Sequence, residues 1–160
     1  MNLTPIGRIE SPFTEATGTP VQPSRAKGTA GRIEVFPEYE EGLKDLEGFD
    51  RIWLLFWCHR AADAKLTVIP YRTTTSHGLF ATRAPARPNP IGLSCVRLVK
   101  REGRFLEIEE VDILNGTPLI DIKPYLPQYD NYPVTRCGWV DRLADNPVVA
   151  DKRFERPDPR

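Results

Sequence analysis

The residues best suited to bind a ligand lie at positions 78–94, called here the proline ledge, where three prolines are interleaved with two arginines. Each proline fixes its own φ and restricts the residue before it, so a stiff, extended stretch is predicted rather than a helix or a central strand. Arg83 and Arg87 flank the first proline, and Asn89 lies between the other two. Guanidinium groups and an amide held in one geometry suit anionic or planar ligands, which favours a binding surface over a plain connection.

The charge pattern also indicates a local binding surface. The formal net charge is zero, from 22 basic and 22 acidic residues. Between residues 71 and 98 every charged side chain is an arginine, whereas acids cluster at 38–47 and 102–112. A neutral chain does not coat nucleic acid through its overall field, so any partner is expected to meet the local arginines.

Neither a metal site nor a disulfide framework is predicted. Cys58, His59, His77 and Cys95 lack the paired spacing that is typical of metal ligands. An odd number of cysteines implies no disulfide framework, and a reducing, cytoplasmic location is expected. No apolar run approaches the roughly 20 residues that span a membrane, so no membrane partner is expected.

Short apolar segments indicate an all-β fold, a barrel or a sandwich with one short helix and long loops. The 16 prolines, about twice the average share, favour this class over a helical bundle. Strands are predicted at 3–9, 32–36, 52–57, 66–71, 93–99, 105–110 and 119–123. The strand at 52–57 is predicted to be buried on both faces because it is continuously apolar.

The connections and the domain limits follow from the same patterns. A helix is predicted to begin at Pro37 and to end at Gly48, a long loop covers 14–31, and a hairpin turn covers 101–104. Residues 1–144 are expected to form one domain, followed by a polar, poorly packed tail at 145–160.

Four segments resemble the TrmO or TsaA-like family, tRNA methyltransferases that act on N6-threonylcarbamoyladenosine beside the anticodon. They are residues 6–13, 46–56, the proline ledge and 115–125, and they follow one another in the family's order and spacing. The ledge and the last segment are long and unusual, which makes the resemblance specific.

The resemblance implies a small single-sheet β-barrel, S-adenosyl-L-methionine as methyl donor, tRNA as substrate, and a homodimer with the cofactor site near its interface. It implies these cofactor-binding residues: Gln22, Pro23, Ser24, His59, Arg60, Arg83, Leu93, Leu114, Asn115, Gly116, Thr117 and Pro118. Among them, Arg83 can clamp the methionine carboxylate and Leu93 can pack against adenine, while Asn115 and backbone groups can bind adenine or ribose.

The chemistry of methyl transfer suggests the catalytic residues. The reaction is an in-line displacement, and the urea-like nitrogen of a carbamoyl-adenosine is a poor nucleophile, so loss of its proton must be assisted. Asp121 can act as the base or hold the acceptor N–H, and Lys123 or Arg87 can neutralise the carboxylate of the modified base. A purely structural pair between Asp121 and Lys123 is an equal alternative.

Departures from the family pattern leave the substrate open. The family usually has Asp where this sequence has Asn115, and Gln22-Pro23-Ser24 replaces its usual Pro-Arg-Gln, so Arg25 or Lys27 can take over the arginine's task. Longer relatives carry a further C-terminal domain that is not found in this sequence. The alternatives are a methyltransferase for a small carbamoyl or amide metabolite, and a noncatalytic module that binds S-adenosyl-L-methionine or RNA.

Overall fold

Six antiparallel strands close into a barrel, in the order β1-β2-β7-β6-β3-β8 and back to β1. The computed structural model describes residues 2–145 and 148–156. The strands are β1 Gly7–Glu10, β2 Ala30–Val35, β3 Arg51–Trp57, β4 Thr67–Val68, β5 His77–Gly78, β6 Ile91–Glu102, β7 Phe105–Glu109 and β8 Thr117–Pro124. β4 and β5 pair with each other outside the barrel. The predicted single-sheet barrel is therefore confirmed.

The interior of the barrel is filled by the alternate residues of each strand. In β3 the buried side chains are Ile52, Leu54 and Phe56, while the residues between them face outwards and are half-buried. The expectation that this strand is buried on both faces is therefore wrong. Successive side chains of a strand point to opposite faces of the sheet, so one face of β3 packs into the core and the other lies on the outside of the barrel.

One glycine allows the barrel to close around a large aromatic side chain. Gly92 of β6 is paired with Phe56 of β3, and a Cβ at position 92 would lie 2.1 Å from the Phe56 ring. Only a residue without a side chain therefore fits beside this ring.

The helical segments differ from the sequence prediction. The region from Pro37 to Gly48 forms two 3₁₀-helices, Pro37–Leu43 and Leu46–Gly48, instead of one continuous helix. Asp45 separates them with a φ of 66°, a left-handed conformation that a continuous helix does not contain. The short α-helix, α1 (Pro127–Asp130), lies instead after β8. No helix within the described residues has the length and apolar character to cross a membrane.

Two other segments also depart from the prediction. The strand predicted at 66–71 is reduced to β4, and the proline ledge contains a 3₁₀-helix at Leu79–Ala81 before its extended part. The tail was expected to pack poorly, yet residues 148–156 pack against the rest of the chain and bury Phe154, which is 7 % exposed. Positions 146–147 and 157–160 of the tail lie outside the described residues.

Candidate functional site

A cavity of about 420 Å³ lies at the end of the barrel where β3 finishes and where β6 and β8 begin. Its walls come from the loop between β1 and β2, the turn after β3, the proline ledge, the turn before β8 and residues 148–156. Because strands β3, β6 and β8 are neighbours in an antiparallel sheet, these distant stretches of sequence meet at one end. A volume of this size is ordinary for a small-molecule site, for which about 300–1,000 Å³ is typical.

The cavity brings together a little more than half of the residues expected to bind the cofactor. Those that line it are Gln22, His59, Arg60, Arg83, Leu93, Leu114 and Thr117. The remaining residues, Pro23, Ser24, Asn115, Gly116 and Pro118, are their chain neighbours and lie outside the lining. Asn115 has a structural partner, since its Oδ1 accepts a hydrogen bond from the Ser11 backbone N–H at 3.1 Å.

The residues expected to be catalytic are separated. Arg87 lines the cavity, but Asp121 and Lys123 lie in β8 outside the lining. Lys123 Nζ lies 2.8 Å from Asp121 Oδ2, with both side chains more than a third exposed, and Asp121 Oδ1 accepts from the Ile122 N–H. This arrangement matches the structural alternative for the pair.

The two arginines of the proline ledge are held in place, one by the backbone of the ledge and the other by the loop between β1 and β2. Arg87 Nη1 donates to the carbonyl oxygens of Thr82 at 3.0 Å and Ala84 at 3.3 Å. Arg83 Nη1 donates to Gln22 Oε1 at 2.5 Å, which ties the ledge to the loop between β1 and β2. Two guanidinium groups are therefore positioned at the cavity before any ligand arrives, which reduces the entropy lost on binding.

The turn after β3 adds a histidine and a thiol that are both electrically neutral near pH 7. His59 Nδ1 lies 3.5 Å from Thr117 Oγ1, and burial together with the Arg60 charge lowers the pKa of His59. Burial raises the pKa of Cys58 to about 11, so this residue remains a thiol and is a poor nucleophile at neutral pH.

Asp112 is a cavity residue that the sequence patterns did not indicate. Its Oδ1 accepts a hydrogen bond from Ser94 Oγ at 2.7 Å, and both residues line the cavity. Burial raises the pKa of Asp112 to about 6, although the Ser94 hydrogen bond and the Arg83 charge act in the opposite direction. The one available signal in the sequence was an acid flanked by two apolar residues, Val111 and Ile113, which are buried.

Comparison with known proteins identifies the family. The sequence model of the tRNA-methyltransferase O N-terminal domain matches residues 8–131. The chain belongs to this family. The expected resemblance to TrmO proteins is thereby confirmed, and the cavity just described lies mostly within the matched TrmO domain.

Relatives and solved structures agree with the family. A Pyrococcus abyssi protein named as a probable S-adenosyl-L-methionine-binding protein is 56 % identical over 86 % of this chain and 75 % of its own length. The human tRNA (adenine(37)-N6)-methyltransferase is 39 % identical over 79 % of this chain. A crystal structure of TrmO from Pseudomonas aeruginosa superposes with a TM-score of 0.73 and 39 % identity, over 87 % of this chain.

The match to the human methyltransferase and to the Pseudomonas aeruginosa TrmO covers only part of their length. The chain spans 30 % of the human protein and 62 % of the Pseudomonas aeruginosa TrmO chain. Within the chain itself, residues 132–156 follow the matched domain, and Ala150, Phe154 and Glu155 of this region still line the cavity. The TrmO domain and the segment after it therefore build the cavity jointly.

Proposed function

We propose that this protein is an S-adenosyl-L-methionine-dependent tRNA methyltransferase that methylates N6 of threonylcarbamoyladenosine beside the anticodon. The observation that carries the proposal is the preformed cavity, in which arginines, a buried acid and apolar side chains converge at one end of a TrmO-family barrel. The name of the human relative and the description of the matched family support a tRNA substrate, and the name of the Pyrococcus relative supports the cofactor.

The chemistry of the lining fits S-adenosyl-L-methionine. This cofactor would supply an activated methyl group on a sulfonium, together with an adenosine and an amino-acid end. The apolar side chains of Phe56, Leu93 and Ile113 offer a surface for the adenine ring. The arginines at the cavity suit the cofactor's carboxylate.

Asp112 and Arg87 are the residues that we propose for the acceptor. Above pH 6 the Asp112 carboxylate is ionised, and its hydrogen bond from Ser94 keeps one oxygen fixed while the other can accept the proton of the acceptor N–H. The cofactor would supply the methyl group, its S–CH₃ bond breaking and S-adenosylhomocysteine leaving as the N–CH₃ bond forms, and Asp112 would release the proton to solvent. Arg87, fixed by the ledge carbonyls, neutralises the carboxylate of the threonylcarbamoyl group.

A homodimer is proposed because the outer face of β3 and β6 is apolar. Leu93 is 54 % exposed, and it is paired with Leu55 on a face that also carries Trp53 and Trp57. A second copy of this chain is a suitable occupant, because two identical apolar faces can pack on each other around a two-fold axis. Leu93 also borders the cavity, so such an interface would adjoin the cofactor site.

The free cysteines of the chain support a cytoplasmic location, which we propose for this protein. Cys58, Cys95 and Cys137 all lie in the described part of the chain, and each is a free thiol. Free cysteines are typical of proteins in a reducing compartment, where the tRNA substrate is also found.

Methyl transfer to defined tRNAs tests the proposal. The purified protein is incubated with methyl-labelled S-adenosyl-L-methionine and either a tRNA that carries threonylcarbamoyladenosine or the same transcript with plain adenosine. Nucleoside analysis of the digested RNA is expected to find the label in the modified adenosine only. Transfer to the free threonylcarbamoyladenosine nucleoside but not to tRNA would support the small-metabolite alternative. Absence of both transfer and cofactor binding would overturn the proposal.

A further inference from the structure

Phe80 of the proline ledge holds its aromatic ring out into solvent. It is 75 % exposed, the largest fraction of any large apolar residue in the described part of the chain. Its neighbour Leu79 is only 1 % exposed and belongs to a buried cluster with Val68 and Phe154. A single exposed apolar residue is ordinary on a protein surface, so the surroundings of Phe80 must indicate whether its ring has a function.

The backbone on both sides of Phe80 is fixed by hydrogen bonds. The N–H and the hydroxyl of Thr82 both donate to the Leu79 carbonyl, at 3.0 Å and 2.8 Å. Trp139 Nε1 donates to the Ala81 carbonyl at 2.8 Å. A fixed backbone rather than a loose loop therefore presents the ring, so less entropy is lost when a ligand covers it.

Trp139 supports the ledge from a part of the chain that follows the matched family domain, which ends at residue 131. Its indole is stacked on the imidazole of His77, with ring centroids 4.3 Å apart and an angle of 18° between the planes. The 3₁₀-helix Gly138–Arg142, which carries Trp139, is thus joined to β5 and to the ledge at the same place.

The Phe80 ring lies beside the rim of the cavity. The guanidinium carbon of Arg87 is 5.6 Å from the ring centroid, within the distance at which a cation is attracted to an aromatic ring. Arg87 lines the cavity, whereas Phe80 lies outside the lining. A group that covers this ring would therefore be an immediate neighbour of the group that enters the cavity.

The positive charge beside the ring is not neutralised by carboxylate contacts. Within the described residues, Arg83 is held by the amide oxygen of Gln22, and Arg87 is held by the carbonyl oxygens of Thr82 and Ala84. All of these acceptors are uncharged. The surface next to Phe80 therefore favours an anionic ligand.

A rigid aromatic ring beside two guanidinium groups fits single-stranded RNA. Unpaired bases stack on aromatic side chains, and cations beside them meet the phosphates. An apolar protein side chain could also cover a phenylalanine, but it brings no phosphate to the arginines. The combination of ring and charge therefore favours a nucleotide over a protein partner.

We propose that Phe80 stacks on the base of the nucleotide next to the target adenosine. This inference rests on the proposed function, because it takes tRNA as the substrate. The target nitrogen must enter the cavity, so its base leaves the stack of the RNA, which costs free energy. The neighbouring base then loses a stacking partner, and the Phe80 ring outside the cavity replaces it.

Three forms of one tRNA that carries threonylcarbamoyladenosine provide the test. One is intact, and the other two have an abasic nucleotide on the 5′ or the 3′ side of the modified adenosine. Fluorescence anisotropy with the whole protein is expected to find that Phe80→Ala weakens binding of the intact tRNA about ten-fold or more, because stacking is lost. For one of the abasic tRNAs the same substitution should change the affinity by less than about two-fold, because the stacking base is already absent.

The other readouts separate stacking from an effect on the cavity. The KM for intact tRNA in methyl transfer should rise with Phe80→Ala by the same factor as the dissociation constant. Affinity for S-adenosylhomocysteine should change by less than about two-fold, because Phe80 lies outside the cavity lining.

Two conservative variants and one distant control test the need for an aromatic face. Phe80→Leu keeps an apolar side chain without a ring and should lose most of the affinity for intact tRNA, whereas Phe80→Trp should retain it. Tyr129→Ala removes an aromatic residue that is 66 % exposed in α1 and should leave the affinity unchanged.

Several outcomes would overturn the inference while leaving the proposed function in place. They are full affinity in Phe80→Ala or Phe80→Leu, an equal loss with the intact tRNA and both abasic tRNAs, and an equal loss in Tyr129→Ala. Light scattering that finds a monomer only for Phe80→Ala would also overturn it, because a second copy of the chain would then cover the ring. Failure of the unaltered protein to methylate the intact tRNA would instead overturn the proposed function, and the affinities, which need no reaction, would still decide the role of Phe80.

Discussion

Ser94 donates its hydroxyl hydrogen to Asp112 at 2.7 Å, and this bond joins the buried face of β6 to the turn before β8. Ser94 is 3 % exposed and is one of the few buried polar side chains in the described part of the barrel. The bond fixes the orientation of a carboxyl group whose pKa burial raises to about 6. The site therefore contains an acid that changes its charge close to neutral pH, next to the arginines of the proline ledge.

We expect Asp112→Asn to abolish most methyl transfer without preventing cofactor binding. Asparagine keeps an oxygen for the Ser94 hydroxyl but cannot take a proton, so a loss of about 100-fold in kcat is expected if Asp112 is the base. The rate of the unaltered protein should rise as the pH passes through about 6, where Asp112 ionises, and then level off. A variant that retains the full rate at pH 7.5 would contradict this role.

The same group should make folding stability depend on pH in a defined direction. The pKa of Asp112 is raised from 3.8 to about 6, so between these values the folded protein binds a proton that the unfolded chain has released. Stability relative to Asp112→Asn is therefore expected to be greatest below pH 4 and to fall as the pH rises to 6, by roughly 3 kcal/mol at most. Urea unfolding of both proteins at pH 4, 5, 6 and 7 measures the difference. A difference that does not vary with pH would contradict the raised pKa.

Substitution of Asp121 separates its two predicted roles. If Asp121 is the base, Asp121→Asn should lower the methyl-transfer rate about 100-fold. If Asp121 is only half of an exposed ion pair with Lys123, the substitution should hardly change the rate. Because the pair lies outside the cavity lining, we expect Asp121→Asn to change the rate by less than about two-fold and the unfolding free energy by less than about 1 kcal/mol. Parallel assays with Asp112→Asn give the matched comparison of two acids in one chain.

The proposed dimer can be tested at the exposed leucine of β6. Leu93→Glu places a charge in the middle of the apolar outer face, where an unpaired buried charge is costly. Light scattering is expected to give the mass of a dimer for the unaltered protein and of a monomer for the variant. Arg8→Glu, on the exposed side of β1, should remain dimeric. A monomeric unaltered protein would show that this face is not paired in solution.

The strands and the proline ledge were predictable because their signals are local. Alternating apolar residues mark β2 and β7, and prolines restrict φ at fixed positions, so neighbouring residues suffice to indicate both. The helix from Pro37 to Gly48 was wrong because its apolar spacing also fits two 3₁₀-helices. The spacing of apolar residues therefore predicts the type of element only where a single backbone geometry is compatible with that spacing.

The candidate site was less predictable because its contacts join distant parts of the chain. Asp112 meets Ser94, which lies 18 residues earlier in the chain, and Glu155 meets Arg60 through a segment whose composition indicates poor packing. Neither Asp112 nor Glu155 has a nearby residue in the sequence that indicates which residue it contacts. The fold places several of the cofactor residues implied by the resemblance in one cavity. The resemblance could indicate them together because a family pattern relates segments that are distant in the sequence but close in the fold.

A last prediction concerns the contact that closes the barrel beside the cavity. A Cβ at Gly92 would lie 2.1 to 2.8 Å from three carbons of the Phe56 ring, so Gly92→Ala must displace this ring. Overpacking of this kind costs typically 1–3 kcal/mol, and we expect urea unfolding to measure a loss of about 2 kcal/mol. Since Phe56 lines the cavity, affinity for S-adenosylhomocysteine should fall as well.

A matched glycine and a compensating change test the cause of that loss. A Cβ at Gly48 would have open space around it, so Gly48→Ala is expected to be neutral or slightly stabilising. Adding Phe56→Leu to Gly92→Ala replaces the clashing ring with a smaller side chain, and the two substitutions together should destabilise less than the sum of their separate effects. Simple additivity would mean that the ring moves aside without strain, and the close approach of Gly92 to Phe56 would then not be what requires a glycine in β6.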